Sequence, residues 1–333
     1  MTNPVLVEVL RGGRVESRHS GSIAVCDADG GLFLARGDVA RPVFPRSAVK
    51  VMQALPLVES GAADAFGFDR KELALACASH SGEPEHAALA QKILAKAGFE
   101  PDALECGAHW PTSQEATIQL ARSGGTASAL HNNCSGKHSG FLCPCRHLGL
   151  NHRGYVKIGH DYQRLIAATM EEVTGAPHRE DNSGTDGCSI PTYAVPLTNL
   201  ATGFAKLATG EGLAAERASA ARRLFAACMA EPFYVAGTGR ADTEMMTAGN
   251  GRVFVKVGAE GVYCGAAPEL GLGFALKIDD GAGRGAEAAV ASLLAWLLRA
   301  DEALAARYAG MACATMKNWN GIEVGEVRGL PLS

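Results

Sequence analysis

Strand-like segments stand at both ends of this chain and helical ones fill the stretch between, and no other feature limits the possible folds as strongly. Near the start, Val5-Leu6-Val7-Glu8-Val9-Leu10, a Gly12-Gly13 turn, an alternating stretch from Arg14 to Ser20, Ile23-Ala24-Val25-Cys26, a turn at Asp27 to Gly31, and Leu32-Phe33-Leu34-Ala35 read as a β-meander. Near the end, Arg252 to Val257, Gly261 to Cys264 and Gly273 to Ile278 are three more strand candidates separated by glycine-containing turns. Helical signals run over Ala48–Val58, Lys71–Cys77, Glu85–Ala97 before Gly98, Asp161–Thr174, Leu197–Ala208, Leu213–Met229 and Gly285–Arg299. Asp301 to Tyr308 either continues the last of these or starts another. The remaining middle, Cys106 to Pro191, is broken by Gly, Asn, Ser, His and Pro and reads as loops around the Asp161–Thr174 helix. One mixed sheet assembled from both termini satisfies this order better than two sequential domains. The expected fold is therefore α+β, a single catalytic unit over 1–333, with a sheet region from about 1–45 and 245–333 and a helical and loop region from about 46–244.

Composition narrows the partners. A chain of 333 residues with 47% hydrophobic residues can bury a large core. Its net charge of −4 and 20% charged residues leave no electrostatic footprint for nucleic acid and no polybasic face for a membrane. No apolar run approaches the roughly 20 residues needed to cross a bilayer, and the N-terminus has no secretory pattern, so a cytoplasmic location and a small-molecule partner are expected. Ten cysteines are then reduced thiols, not a disulfide framework. Cys26, Cys77 and Cys228 sit in apolar runs and read as core, whereas Cys134 and Cys188 have polar neighbours.

Four polar segments could carry chemistry. Arg46-Ser47-Ala48-Val49-Lys50 places a serine and a lysine one turn apart if the helix begins there, which is a compact nucleophile and base pair. The bland alternative is a capping serine followed by a solvated lysine. Ala78-Ser79-His80-Ser81-Gly82-Glu83-Pro84 follows an apolar run, and its hydroxyls either face a cleft or, through Ser81, cap the next helix. His131-Asn132-Asn133-Cys134-Ser135-Gly136-Lys137-His138-Ser139-Gly140 is the densest run of reactive types and shows no core character. Its glycines permit positive φ and close backbone approach. Its Cys134, Lys137 and His138 could converge on a ligand or metal, although the spacing matches no zinc pattern. Asp181 to Pro191 supplies carboxylates and Cys188, and a tight loop explains it equally well. Lys256, inside a Val and Phe run, is solvent-facing or, if buried, open to a shifted pKa; Lys277 pairs more simply with Asp279 or Asp280.

Taken together and in order, Arg46-Ser47-x-x-Lys50, Ala78-Ser79-His80-Ser81-Gly82, Asn133-Cys134-Ser135-Gly136-Lys137-His138, Asp186-Gly187-Cys188, Lys256-x-Gly258-Ala259-Glu260-Gly261 and Ala275-Leu276-Lys277-Ile278 resemble the L-asparaginase II family of the Rhizobium etli type. The resemblance covers nearly the whole chain. It implies a fold like that of serine β-lactamases and serine-dependent glutaminases, with an antiparallel sheet from both chain ends, and a homodimer. It also implies two Ser-Lys pairs, Ser47 with Lys50 and Ser79 with Lys256, with Ser47 as nucleophile. It further implies a zinc ion held by Cys134, Lys137 and Cys188, with Asp186 and His138 close by.

The implied reaction is hydrolysis of L-asparagine to L-aspartate and ammonia through a serine ester. Charge alone assigns Arg46 to the substrate carboxylate and Asp186 or Glu83 to its ammonium, and His138 is a further substrate-binding candidate. Two other readings compete: a serine hydrolase of another amide such as glutamine or a β-lactam, and a non-catalytic zinc or amino-acid binding protein on the same scaffold.

Overall fold

The computed structural model describes residues 2–332, which divide into two compact units. The first comprises 2–48, 195–205 and 244–332, so a short segment expected in the helical region clusters with the sheet. Its centre is an eight-stranded sheet of β1 Val5–Arg11, β2 Arg14–Cys26, β3 Leu32–Arg36, β4 Phe254–Gly258, β5 Val262–Ala267, β6 Leu272–Ile278, β7 Cys313–Lys317 and β8 Glu323–Gly329. The order is β7-β8-β1-β2-β6-β5-β4, with β3 paired to β2 off this path. All of these pairings are antiparallel.

The two chain ends do meet in this sheet: Val9 lies opposite Val327 between β1 and β8, and Val25 lies opposite Phe274 between β2 and β6. Helix Gly283–Leu297 packs on β1, β5, β6 and β8. It buries Ala286, Ala289, Val290, Leu293, Leu294 and Leu297, the three-and-four spacing of a core-facing stripe. Each such Leu or Val, fully removed from water, contributes about 1.5–3 kcal/mol. The residues after it do not continue the helix. Asp301 caps a new one, Glu302–Met311, by accepting the backbone N–H of Leu304.

The sheet ends in a hairpin with no counterpart in the sequence reading, β7 and β8 joined through Asn318 to Ile322. Asn318 Oδ1 accepts the N–H groups of Asn320 and Ile322, and Gly321 takes φ +77°. The tip leaves Trp319 fully exposed and Ile322 59% exposed.

The second unit, 49–194 and 206–243, is helical. Helix Asp161–Thr174 falls where expected, capped by His160 and stopped by Gly175 in the left-handed region. The region read as loops also contains Gln114–Arg122 and Ser135–His147. The second of these overturns the reading of that segment as non-core, since every residue from Ser135 to Cys145 is buried. Its glycines stay helical. Gly136 serves close approach instead of positive φ: a Cβ there would lie 2.4 Å from Leu75 Cγ and from Leu75 O, on helix Arg70–Ala76.

The run from Ala48 to Val58 is not one helix. A 3-10 turn, Arg46–Val49, leads into Lys50–Gln53, and a separate helix, Leu55–Glu59, follows. Pro56 explains the break, because it has no N–H to bond to Met52 and its ring crowds that carbonyl. Ser47 and Lys50 therefore stand on a 3-10 turn and at the head of a four-residue helix, not on one regular helical face.

Candidate active site

Lys50 is 1% exposed, and its Nζ carries the first link between the motifs. Nζ donates to Ala78 O at 2.6 Å and to Cys134 Sγ at 3.0 Å. The residue after Ala78 is Ser79. Its N–H donates to Val235 O, and its Oγ accepts Asn133 Nδ2 at 3.2 Å. Asn133 is itself fixed, its N–H donating to His109 Nε2 and its carbonyl accepting the N–H of His80.

His80 has one defined tautomer. Nδ1 accepts the N–H of Gly82, so Nε2 carries the proton and donates to Ser135 Oγ at 3.0 Å. Burial, with the nearby positive charges, holds its pKa well below the usual imidazole range. Ser81 does not cap the following helix; its hydroxyl donates to Ala236 O. The cap of Pro84–Lys96 is Glu83, whose N–H donates to His86 Nδ1. The Glu83 carboxylate accepts both the N–H and the hydroxyl of Thr238, at 2.8 and 2.7 Å.

Cys134, Lys137 and His138 stand at i, i+3 and i+4 where helix Ser135–His147 begins, which gathers them on one face. Cys188 arrives from a tight turn in which Ser189 takes φ +75° and donates its N–H to Asp186 O. The Cys188 thiol donates to Cys134, and that bond, against burial and with the ammonium groups of Lys50 and Lys137, holds Cys134 well below the usual thiol pKa. Cys188 is pushed up by the same bond and by burial. Lys137 Nζ donates to Cys188 Sγ at 3.0 Å. Burial lowers the Lys137 pKa, but the charges of Cys188, Cys134 and Asp186 outweigh it and raise the group overall. The pattern is a buried thiol of lowered pKa between two lysine side chains.

His138 Nδ1 is 2.7 Å from Tyr155 OH, and that hydroxyl accepts the N–H of Glu105. Tyr155 therefore donates to Nδ1, and the proton of His138 sits on Nε2, a buried atom with no hydrogen-bond partner. Cys106, whose thiol is pushed up to about 12 by burial and by Cys134, also faces this group. No cluster of three or more His, Cys, Asp or Glu able to hold a metal occurs among the described residues. The Cys134, Lys137 and Cys188 trio is of a different kind, because its third donor is a lysine amine.

The sheet unit holds Arg46, Ser47 and Lys256. Ser47 is 9% exposed, and Arg46 before it takes φ +53°, a left-handed conformation that costs a residue with a Cβ about 1 kcal/mol or more. The segment is pressed onto β4: a Cβ on Gly258 would lie 2.3 Å from Pro45 O and 3.3 Å from Ala48 Cβ. Gly258 and Lys256 point to the same face of β4. Lys256 is fully buried, so of the two readings its strand position allowed, the buried one holds. Lys277 differs from expectation. It donates to the carbonyls of Glu260 and Ile278, while Asp279 accepts Asn3 Nδ2 and Asp280 accepts His19 Nδ1.

Nothing in the local spacing signals the contacts from Lys50 to Cys134, Asn133 to Ser79, or Tyr155 to His138. The i, i+3 spacing of Cys134 and Lys137 was a usable signal only once that segment was known to be helical.

A family model described as L-asparaginase II matches residues 7–329. No curated protein matches the chain. Among solved structures, a β-lactamase from Mycobacterium bovis aligns at 15% identity and a TM-score of 0.39, covering 86% of this chain and 94% of that one. A structure described as Mglu aligns at 17% and 0.37, covering 85% and 67%, and SurE with D-Leu at 14% and 0.35, covering 93% and 71%.

Proposed function

The chain belongs to the L-asparaginase II family, and from that premise we propose that it hydrolyses L-asparagine to L-aspartate and ammonia by covalent serine catalysis of the Rhizobium etli type. Ser47 attacks the side-chain amide carbon, and Lys50, acting as the neutral amine, takes the hydroxyl proton. Ammonia leaves, and water then cleaves the ester. Ser79 with Lys256 passes protons to the leaving nitrogen and from the incoming water. Arg46 is proposed to receive the substrate carboxylate and Asp186 its ammonium. Glu83 stays a weaker candidate for the ammonium, because Thr238 occupies both of its oxygens. The enzyme is proposed to act as a cytoplasmic homodimer.

One observation carries the reading. Lys50, buried and three residues after Ser47, is anchored on the carbonyl that immediately precedes Ser79, so the two serine motifs share one fixed lysine. A lysine held this way loses little entropy when it moves a proton. The test is ammonia release from asparagine and from glutamine, which differ by one methylene, a difference worth about 10–200-fold in an apolar pocket. Turnover of asparagine is expected; absence of ammonia from both amides rejects the proposal.

Zinc is proposed at Cys134, Lys137 and Cys188. The residues fit: two sulfurs and an amine already converge, and thiolates suit zinc. When bound, the ion would take up thiolate charge and tie the start of helix Ser135–His147 to the turn that carries Cys188. Lys137 and the Cys188 thiol hold protons here, so binding must release them. The metal-free enzyme titrated with zinc is expected to bind one ion per chain with proton release that a calorimeter reads as buffer-dependent heat. Cys188→Ser is expected to lose about 10-fold or more in zinc affinity. Binding unchanged in that variant rejects the site.

A further inference from the structure

We propose that two copies of this chain join by pairing their β7 strands edge to edge, each copy seating its Trp319 in a groove of the other. The inference specifies the surface of the homodimer proposed above and is independent of the reaction.

Three features of the sheet unit meet here. β7 is an edge strand, and Cys313 to Met316 carry none of the charges or prolines that usually protect an edge; its only charge and its register irregularity fall at Lys317. At one end of the strand the hairpin tip holds Trp319 and Ile322 out in solvent, an arrangement that burial in a partner would offset. At the other end lies a largely apolar groove of about 400 Å³, lined by Trp296, Ala309, Ala312, Cys313, Pro331 and Leu332.

The spacing of tip and groove along one strand makes the surface self-complementary. A two-fold axis that pairs β7 with its copy, centred on Thr315, sets Cys313 opposite the copy's Lys317. The copy's hairpin tip, which follows its Lys317, then lies beyond Cys313, at the end of β7 where the groove opens. The arrangement is isologous, so both grooves fill at once. Charge agrees with it: Glu323 follows the apolar tip, and Arg299, stacked on Trp296, borders the groove. Two tryptophans burying about 150–250 Å² each, with the groove surface they cover and the paired strands, reach about 1,200 Å², the lower end of stable interfaces.

Sedimentation of the full chain, wild type and Trp319→Glu, tests this. The wild type is expected to be a dimer. Trp319→Glu is expected to raise the dimer dissociation constant by about 30-fold or more, the loss of a hot spot, with asparagine turnover per chain unchanged. Lys317→Cys, which sets a new thiol opposite the partner's Cys313, is expected to give covalent dimers with a short bifunctional thiol reagent. A wild type that sediments as a monomer overturns the dimer itself. A Trp319→Glu variant that dimerises normally, or Lys317→Cys that fails to cross-link, overturns the β7 surface while leaving a dimer through another face.

Discussion

Ser47→Ala is expected to abolish ammonia release from asparagine, with kcat falling by about 10⁴-fold or more, the scale on which loss of a covalent nucleophile acts. The substitution removes one oxygen from a 9% exposed position and adds no atoms, so the fold and substrate binding should persist. A calorimetric melt within a few degrees of wild type, together with asparagine that still binds, would show that the loss is chemical. Ser79→Ala is the matched control. Its Oγ accepts Asn133, which gives it a positional task as well as any proton relay. If Ser79→Ala loses more than Ser47→Ala, the nucleophile is Ser79 and the two pairs exchange roles. Near-normal turnover in both would remove serine catalysis from the proposal altogether.

Lys50→Met should be the second most damaging change, with kcat lowered by about 10²–10⁴-fold, the usual contribution of a positioned acid or base. Methionine fills nearly the same volume but cannot donate, so the carbonyl of Ala78 and the sulfur of Cys134 lose a donor inside the protein. An unsatisfied buried group costs about 1–3 kcal/mol, and a fall in melting temperature of several degrees should accompany the kinetic loss. KM separates this from simple misfolding: a proton-transfer role lowers kcat and kcat/KM together, whereas loosening of the pocket would act mainly on KM. A variant with lowered stability but unimpaired kcat would reduce Lys50 to a strut.

Much of the sheet was legible because alternation and glycine turns act locally. The spacing from Gly273 to Ile278 gives β6 nearly to the residue, β2 joins two stretches that read separately, Arg14 to Ser20 and Ile23 to Cys26, and helix Asp161–Thr174 follows from its apolar spacing. Helix Ser135–His147 was missed because Ser, Gly, His and Cys are weak helix formers. It forms by packing against Arg70–Ala76 and Pro84–Lys96, a tertiary cause invisible in its own letters. The left-handed Arg46 and the break before Leu55 show the same limit from the other side, since a run of apolar residues does not reveal where a turn will interrupt it. In the candidate site, the residue types were readable and their company was not. Lys50 and Cys134 are 84 positions apart, and only the fold brings the ammonium to the thiol.

The sheet built from both termini also sets a schedule for synthesis. β3 ends at Arg36 and β4 begins at Phe254, so a ribosome adding about 5–20 residues per second leaves the first three strands waiting roughly 10–40 s for their neighbours. A three-stranded meander with open flanks is barely stable alone and invites pairing with other nascent chains. The helical unit lies almost wholly inside that interval and can settle first. Slow refolding of the full chain, and a gain in yield when a chaperone shields the early strands, follow from this order of assembly.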